Sequence, residues 1–240
     1  QMIDLYSWAT PNGHKVHIML EETGLEYTVH GIDIRAGDQF GEDFLKISPN
    51  NRIPAIIDRD GPDGQELSLF ETGAILVYLG DKTGQFLPRL EDDAPARYKT
   101  IQWLMFQMGG VGPMFGQASH FTGYAPERHS EAELKYPTER YTKECNRLYG
   151  VMDRRLAEAE YLAGDYSIAD MAVWPWCRTP DRRGVDPADY PNVQRWFETI
   201  EARPAVQRAV QVLAEESVRP DRHDDKAWSI MFGDRQFQRT

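Results

Sequence analysis

The pattern of apolar residues changes character once along this chain, and that single change limits the folds open to it. Up to Gly84, short runs with strand character alternate with short helical ones. Beyond a Pro-bearing acidic stretch, Gln85–Pro95, every strong signal is helical. In the first part, Met2–Trp8 reads as a strand, followed by the turn-rich Thr10-Pro11-Asn12-Gly13. Val16, Met19 and Leu20 then recur at helical spacing until Gly24 stops them. Glu26–Ile34 reads as a second strand and Glu42–Ile47 as a short helix ending in the loop Ser48–Asn51. Ile53–Asp58 and Glu66–Leu69 flank the tight turn Gly61-Pro62-Asp63-Gly64, a hairpin. Thr72–Lys82 closes the series as a helix with Ile75, Tyr78 and Leu79 on one face. The order β-α-β-α-β-β-α implies a parallel right-handed crossover followed by an antiparallel pair, an α/β unit.

The second part reads as an all-α bundle. Within Leu134–Glu160, Tyr141, Cys145, Leu148, Tyr149, Met152 and Leu156 share one narrow stripe. Ser167-Ile168-Ala169-Asp170 is a helix-start signal close to a capping box, with Asp where Glu or Gln is usual. It opens Met171–Trp176, apolar on nearly all sides and therefore expected at the centre of the bundle. Pro191–Arg203 and Ala205–Glu216 give two more helices, and Gly109-Gly110-Val111-Gly112 reads as a helix break. The charged stretch Ser217–Thr240 carries Trp228, Phe232 and Phe237, aromatics that favour a tail wrapped over the body against one that frays.

The chain has 240 residues and only two cysteines, Cys145 and Cys177, which excludes a disulfide scaffold and a Cys-rich zinc module. It points to a reducing compartment, the cytoplasm. With 38 acidic against 27 basic residues the net charge is −11, which argues against nucleic acid or an anionic membrane as partner. No apolar run approaches the roughly 20 residues of a membrane helix, and no basic segment precedes an apolar one at the start.

Three short motifs carry candidate chemistry, and each also has an ordinary structural reading. Ile53-Pro54 opens a strand; a cis bond there would splay the Ile53 backbone outward to pair with an extended peptide, whereas a trans proline would simply mark an edge. Glu71-Thr72 begins a helix, where the N–H groups suit a carboxylate and the Glu an ammonium; plain capping uses the same residues. Thr10-Pro11-Asn12-Gly13 brings a hydroxyl and an amide to a helix N-terminus that could hold a thiolate, and turn chemistry alone would also select it. His14, His17 and Glu21 share a helix face, which reads as a solvated face in the absence of a further metal ligand, so no metal is expected. Both cysteines fall on apolar helical stripes and read as inert packing. Arg140 falls well off the Cys145 stripe, facing solvent, a partner subunit or a ligand.

Taken in order, the segments "LYSWATPNGHKV", "SPNNRIPAIID", "LFETGAILVYLGDKTG" and "YSIADMAVWPW" resemble the glutathione transferase family over nearly the whole chain, and are most similar to its Nu-class bacterial members, glutathione-dependent disulfide-bond oxidoreductases. The resemblance implies a thioredoxin-like domain over residues 2–85, a linker over 86–95, a helical domain over 96–216 and a tail over 217–240. It implies a homodimer, and glutathione as co-substrate with up to two molecules per site. It makes Pro54 a cis-proline, with the Ile53 backbone pairing with the cysteinyl unit and Glu71 and Thr72 holding the γ-glutamyl head. Gln39 and Arg52 match positions that reach the tripeptide's other polar groups. Thr10 and Asn12 match residues facing the sulfur, and Arg140 an arginine that reaches glutathione in the partner subunit. The Ser167/Asp170 box matches a structural motif. Tyr6 does not stand where tyrosine-type members keep their sulfur-activating hydroxyl. The activity implied is disulfide reduction, extending to organic hydroperoxides, with conjugation of electrophiles or a non-catalytic binding role as alternatives. Phe121, Tyr124 and Trp176 are the residues nominated for the second substrate.

Overall fold

The computed structural model describes residues 3–218, 220 and 222–237; Met2, the expected start of the first strand, lies outside them. The chain divides into two compact units, one running to Ile75 and resuming at Arg208, the other Leu76–Gln207.

The first unit is built on a four-stranded sheet in the order β2-β1-β3-β4. The elements follow the expected succession: β1 Ile3–Ser7, α1 Pro11–Thr23, β2 Tyr27–Gly31, α2 Glu42–Ile47, β3 Ala55–Asp58, β4 Leu67–Phe70 and α3 Thr72–Thr83, of which Thr72–Ile75 belong to this unit. β1 pairs parallel with β2, and antiparallel with β3 in the register Leu5 to Ile56; β3 and β4 form the hairpin, Ile56 opposite Leu69. Burial follows position in the sheet. Central β3 is buried at every residue, β1 alternates, and the edge strands β2 and β4 stay half exposed. Ile3, Leu5, Val16, Ile18, Met19, Leu20, Ile56 and Ile75 make the core, each stabilising the unit by about 1.5–3 kcal/mol through burial.

The C-terminal stretch belongs to this same unit. Arg208 pairs with Glu21 at 2.7 Å, and Ser217 Oγ accepts from the Ala9 amide. The Arg35 guanidinium donates to the carbonyls of Val218 and Glu216. Arg235 lies over the Phe40 ring. The chain therefore wraps as the aromatics suggested, but much of the hold comes from arginine donors meeting carbonyls. The helix expected over Ala205–Glu216 shortens to Pro204–Ala209.

In the second unit, α4 Ala94–Phe106 runs through a wide π-helical turn, Gln107–Val111, into α5 Gly112–Ser119. The glycine cluster is thus not a break. Gly112 gives the wide turn its room, since a Cβ there would sit 2.7 Å from the Gln107 amide nitrogen. A second π turn, His120–Tyr124, precedes α6 Glu131–Leu156; then come α7 Ile168–Val173, α8 Pro191–Glu201, α9 Pro204–Ala209 and, in the first unit, α10 Asp225–Phe232. On α6 the expected stripe is buried from Cys145 to Leu156.

Asp170 centres the bundle. Its carboxylate accepts from the Ser167 and Leu162 amides at 3.0 Å each and from Trp196 Nε1 at 2.8 Å, while Ser167 Oγ accepts from the Ala169 amide. Burial pushes the carboxyl up to about 6 against the pull of these donors, so its contribution to stability falls as pH rises from 3.8 to about 6. Asp170→Ala would strand several buried donors, and the expected loss is about 3 kcal/mol or more of unfolding free energy. Urea denaturation at pH 7 measures it; a loss under about 1 kcal/mol would show that the network does not hold the bundle.

Candidate functional site

The geometry of the first unit's site starts where β1 gives way to α1. Thr10 is extended (φ −121°, ψ 164°) and caps the helix, its Oγ1 accepting the Gly13 amide proton at 3.2 Å. A hydroxyl that accepts there keeps its own proton to donate elsewhere. Pro11 supplies no N–H, and Asn12, half-buried, adds a side-chain amide in the same turn. Gly13 is required by space: a Cβ would lie on the Trp8 carbonyl oxygen and 2.8 Å from Ser7 Oγ. Behind this turn α1 is buried along its whole middle, Gly13 to Leu20. The face carrying His14 and His17 is therefore packed, not solvated as its composition suggested. His17 shares a hydrogen bond with Ser7 Oγ at 2.8 Å, and burial brings its pKa down to about 4. Glu21 is engaged by Tyr27 and Arg208, and no group of ligands for a metal ion gathers among the described residues.

The Ile53–Pro54 bond is cis and leads directly into β3. At the next turn, Glu71 is held at φ 73°, a left-handed conformation that costs a non-glycine residue on the order of 1–2 kcal/mol, and its side chain is exposed. Thr72 follows as the first residue of α3, buried, with Oγ1 accepting from Lys15 Nζ at 3.2 Å. Lys15 is only 2 % exposed, and burial lowers its pKa from 10.5 to about 7 although the Glu71 charge raises it. Lys15 stands in none of the three motifs that the sequence marks for chemistry. Its burial comes from tertiary neighbours, and the sequence around it, with His14 and His17 on either side, carries no signal of it.

Gln39 is buried; its Nε2 donates to the Ile34 carbonyl at 3.0 Å, and Oε1 has no hydrogen-bond partner among the described residues. Arg52 is exposed and donates to Gln236 Oε1 at 3.1 Å, so the C-terminal stretch reaches this residue. Tyr6 stacks on His30 with centroids 4.7 Å apart, and burial raises its pKa, the wrong direction for activating a sulfur. In the second unit, Arg140 is exposed on α6. Phe121 stacks on Tyr141, Tyr124 on His120, and Trp176 is buried against Gly116.

Neither cysteine offers a nucleophile. Both are buried, and desolvation pushes each thiol up to about 12. Among the described residues, no helix is long and apolar enough to cross a membrane.

Comparison with known proteins places this arrangement in company. Residues 2–81 match the glutathione S-transferase N-terminal domain and residues 116–204 the C-terminal domain of the same family. The disulfide-bond oxidoreductase YfcG of Escherichia coli is 49% identical over 211 residues, covering 87% of this chain and 94% of that protein. A glutathione transferase family member from Pseudomonas fluorescens, solved with two glutathione bound, is 48% identical with a TM-score of 0.81, covering 87% of this chain and 92% of its own. One from Pseudomonas putida, with a glutathione disulfide bound per subunit, is 46% identical at the same TM-score, over 88% and 91%.

Thiol titration with an aromatic disulfide reagent at pH 8 checks the state of the cysteines. The native protein is expected to react at neither thiol within the time that denatured protein reacts at both; prompt labelling of one would mean an accessible sulfur of its own.

Proposed function

The chain belongs to the glutathione transferase family, and from that footing we propose that it reduces disulfides with the thiolate of bound glutathione, organic hydroperoxides being a second substrate class. The observation that carries the reading is the absence of a usable sulfur in the chain itself: both thiols are buried and pushed up to about 12. A thiol–disulfide reaction here needs a thiol brought in. The first turn of α1 supplies what a thiolate requires, a helix N-terminus with the Thr10 hydroxyl and the Asn12 amide as donors. The family relationship and the disulfide-bond oxidoreductase named among the relatives support the reaction class, and the relatives solved with two glutathione or with glutathione disulfide support a site for both thiols.

In this reading the Ile53 backbone beside cis-Pro54 pairs with the cysteinyl unit. The carboxylate of the γ-glutamyl head lies at Thr72 and its ammonium at Glu71. Gln39 and Arg52 take the remaining polar groups, and Arg140 comes from a second copy of the chain in a homodimer. One glutathione sulfur attacks the disulfide, forming a mixed disulfide and expelling one thiolate. A second glutathione then displaces the other, so two glutathiones and one disulfide become glutathione disulfide and two thiols. A hydroperoxide would take the same two electrons and leave as alcohol and water. With its own thiols reduced and glutathione as reductant, the compartment we assign is the cytoplasm.

The double variant Thr10→Ala/Asn12→Ala is expected to lower kcat/KM for hydroxyethyl disulfide by about a hundredfold, the scale of losing preorganised donors to a reacting anion. A wild-type rate would remove these residues from the sulfur. Rates measured side by side should also favour hydroxyethyl disulfide over chlorodinitrobenzene. The reverse order would return a conjugating transferase, and turnover of neither a non-catalytic binding protein.

A further inference from the structure

We propose that Gln236, in the C-terminal stretch, is a positioning residue for Arg52: it holds one nitrogen of the guanidinium so that the remaining donors stay presented to the glycyl carboxylate of glutathione. It rests on the reading above that Arg52 takes a polar group of the tripeptide. Once the γ-glutamyl and cysteinyl units are placed, the glycyl carboxylate is the charged group that remains.

Arg52 and Gln236 are far apart in sequence and lie in the same unit. Arg52 immediately precedes the cis Ile53–Pro54 bond, and buried Ser48 donates its hydroxyl to the Arg52 carbonyl at 2.8 Å. The backbone is therefore set, but an exposed arginine side chain keeps its rotamer freedom unless something holds the head. Gln236 supplies the hold. Its Oε1 accepts from Arg52 Nη1 at 3.1 Å, and its Nε2 donates to the Ile230 carbonyl at 2.7 Å, so the amide is tied at both ends. Ile230 is buried on α10, where a Cβ at Gly37 would meet its side chain at 3.7 Å, and Arg235 lies over the Phe40 ring. The holder is thus rooted on the unit that carries Arg52.

Charge gives the contact its meaning. Arg59, Arg97, Arg147 and Arg208 each pair with a carboxylate of the chain. Arg52 instead meets a neutral amide oxygen, and among the described residues no ion pair engages it. A guanidinium carries its N–H donors in a rigid planar fork, and the Gln236 oxygen occupies Nη1 alone. The edge formed by Nε and Nη2 remains, two parallel donors with an uncancelled positive charge, which is the complement of a carboxylate.

Calorimetric titration with two probes tests this: glutathione, and glutathione monoethyl ester, in which the glycyl carboxylate alone is masked. Without the hold the ligand must immobilise a long side chain itself. Gln236→Ala should therefore weaken glutathione about threefold to tenfold and change the ester by less than about twofold. Gln236→Glu keeps size and acceptor but sets a carboxylate against Arg52, and should weaken glutathione at least as much, again sparing the ester. Arg52→Ala should weaken glutathione about tenfold or more, and adding Gln236→Ala to it should cost nothing further.

Unchanged glutathione affinity in either Gln236 variant would overturn the proposal. So would an equal loss for both probes, the mark of a merely structural residue, or a full additional loss in the Arg52→Ala background. Arg52→Ala by itself separates these failures from that of the underlying reading. If it binds glutathione as tightly as wild type, or loses both probes equally, Arg52 does not meet the glycyl carboxylate and Gln236 falls with it. If Arg52→Ala weakens glutathione selectively and the Gln236 variants do not, only the role of Gln236 is lost.

Discussion

The close approach of α1 to β1 at Gly13 is the contact on which the rest of the site depends. With no room for a Cβ between Gly13 and the Trp8 carbonyl, the first turn of α1 lies directly against the end of the strand. That placement presents Thr10 and Asn12 at the helix start and makes the next turns fully buried. Burial in turn gives Lys15 its reach: its side chain is held inside, with Thr72 Oγ1 as an anchor. In the proposed reading, the donors assigned to the sulfur and the residue assigned to the γ-glutamyl end are therefore tied to one helix rather than to independent loops, the kind of rigid support that preorganised sites need. Glu71 pays for its place with a left-handed backbone beside the same anchor.

The second unit accounts for the lack of a usable sulfur in the chain, from which the proposed reaction starts. Its interior is organised by Asp170, whose hydrogen bonds reach the Leu162 and Ser167 amides and Trp196. Cys145 lies on the buried stripe of α6, and Cys177 just beyond the apolar stretch that α7 begins. A thiol in that setting is stable as a thiol and of no use as a nucleophile.

Much of this was legible in the sequence because the physics involved is local. Strand alternation, the Gly24 stop and the Ser167/Asp170 box each depend on residues close together in the chain, and each appears where expected. The box at Ser130 and Glu133, which starts α6, carries the same signal and was overlooked. The misreadings share another cause. The glycine cluster at Gly109–Gly112 looked like a break, but the helix continues through a wide turn that Gly112 leaves room for. His14 and His17 looked solvated because helix periodicity alone does not tell how many sides of α1 are covered. Lys15 was invisible for the same reason, since a lysine's burial is decided by tertiary neighbours such as Thr72, distant in sequence. The C-terminal stretch was placed by its aromatics, whereas Arg35 binds it through backbone carbonyls that no sequence pattern marks.

The central claim is that the first turn of α1 converts glutathione to its thiolate. Ultraviolet difference absorbance of the enzyme–glutathione complex across a pH titration measures this directly. The account predicts thiolate absorbance in the complex at least one pH unit below the range in which free glutathione ionises, and its return to the free range in Thr10→Ala/Asn12→Ala. A complex that binds glutathione yet ionises it only where the free thiol does would contradict the account.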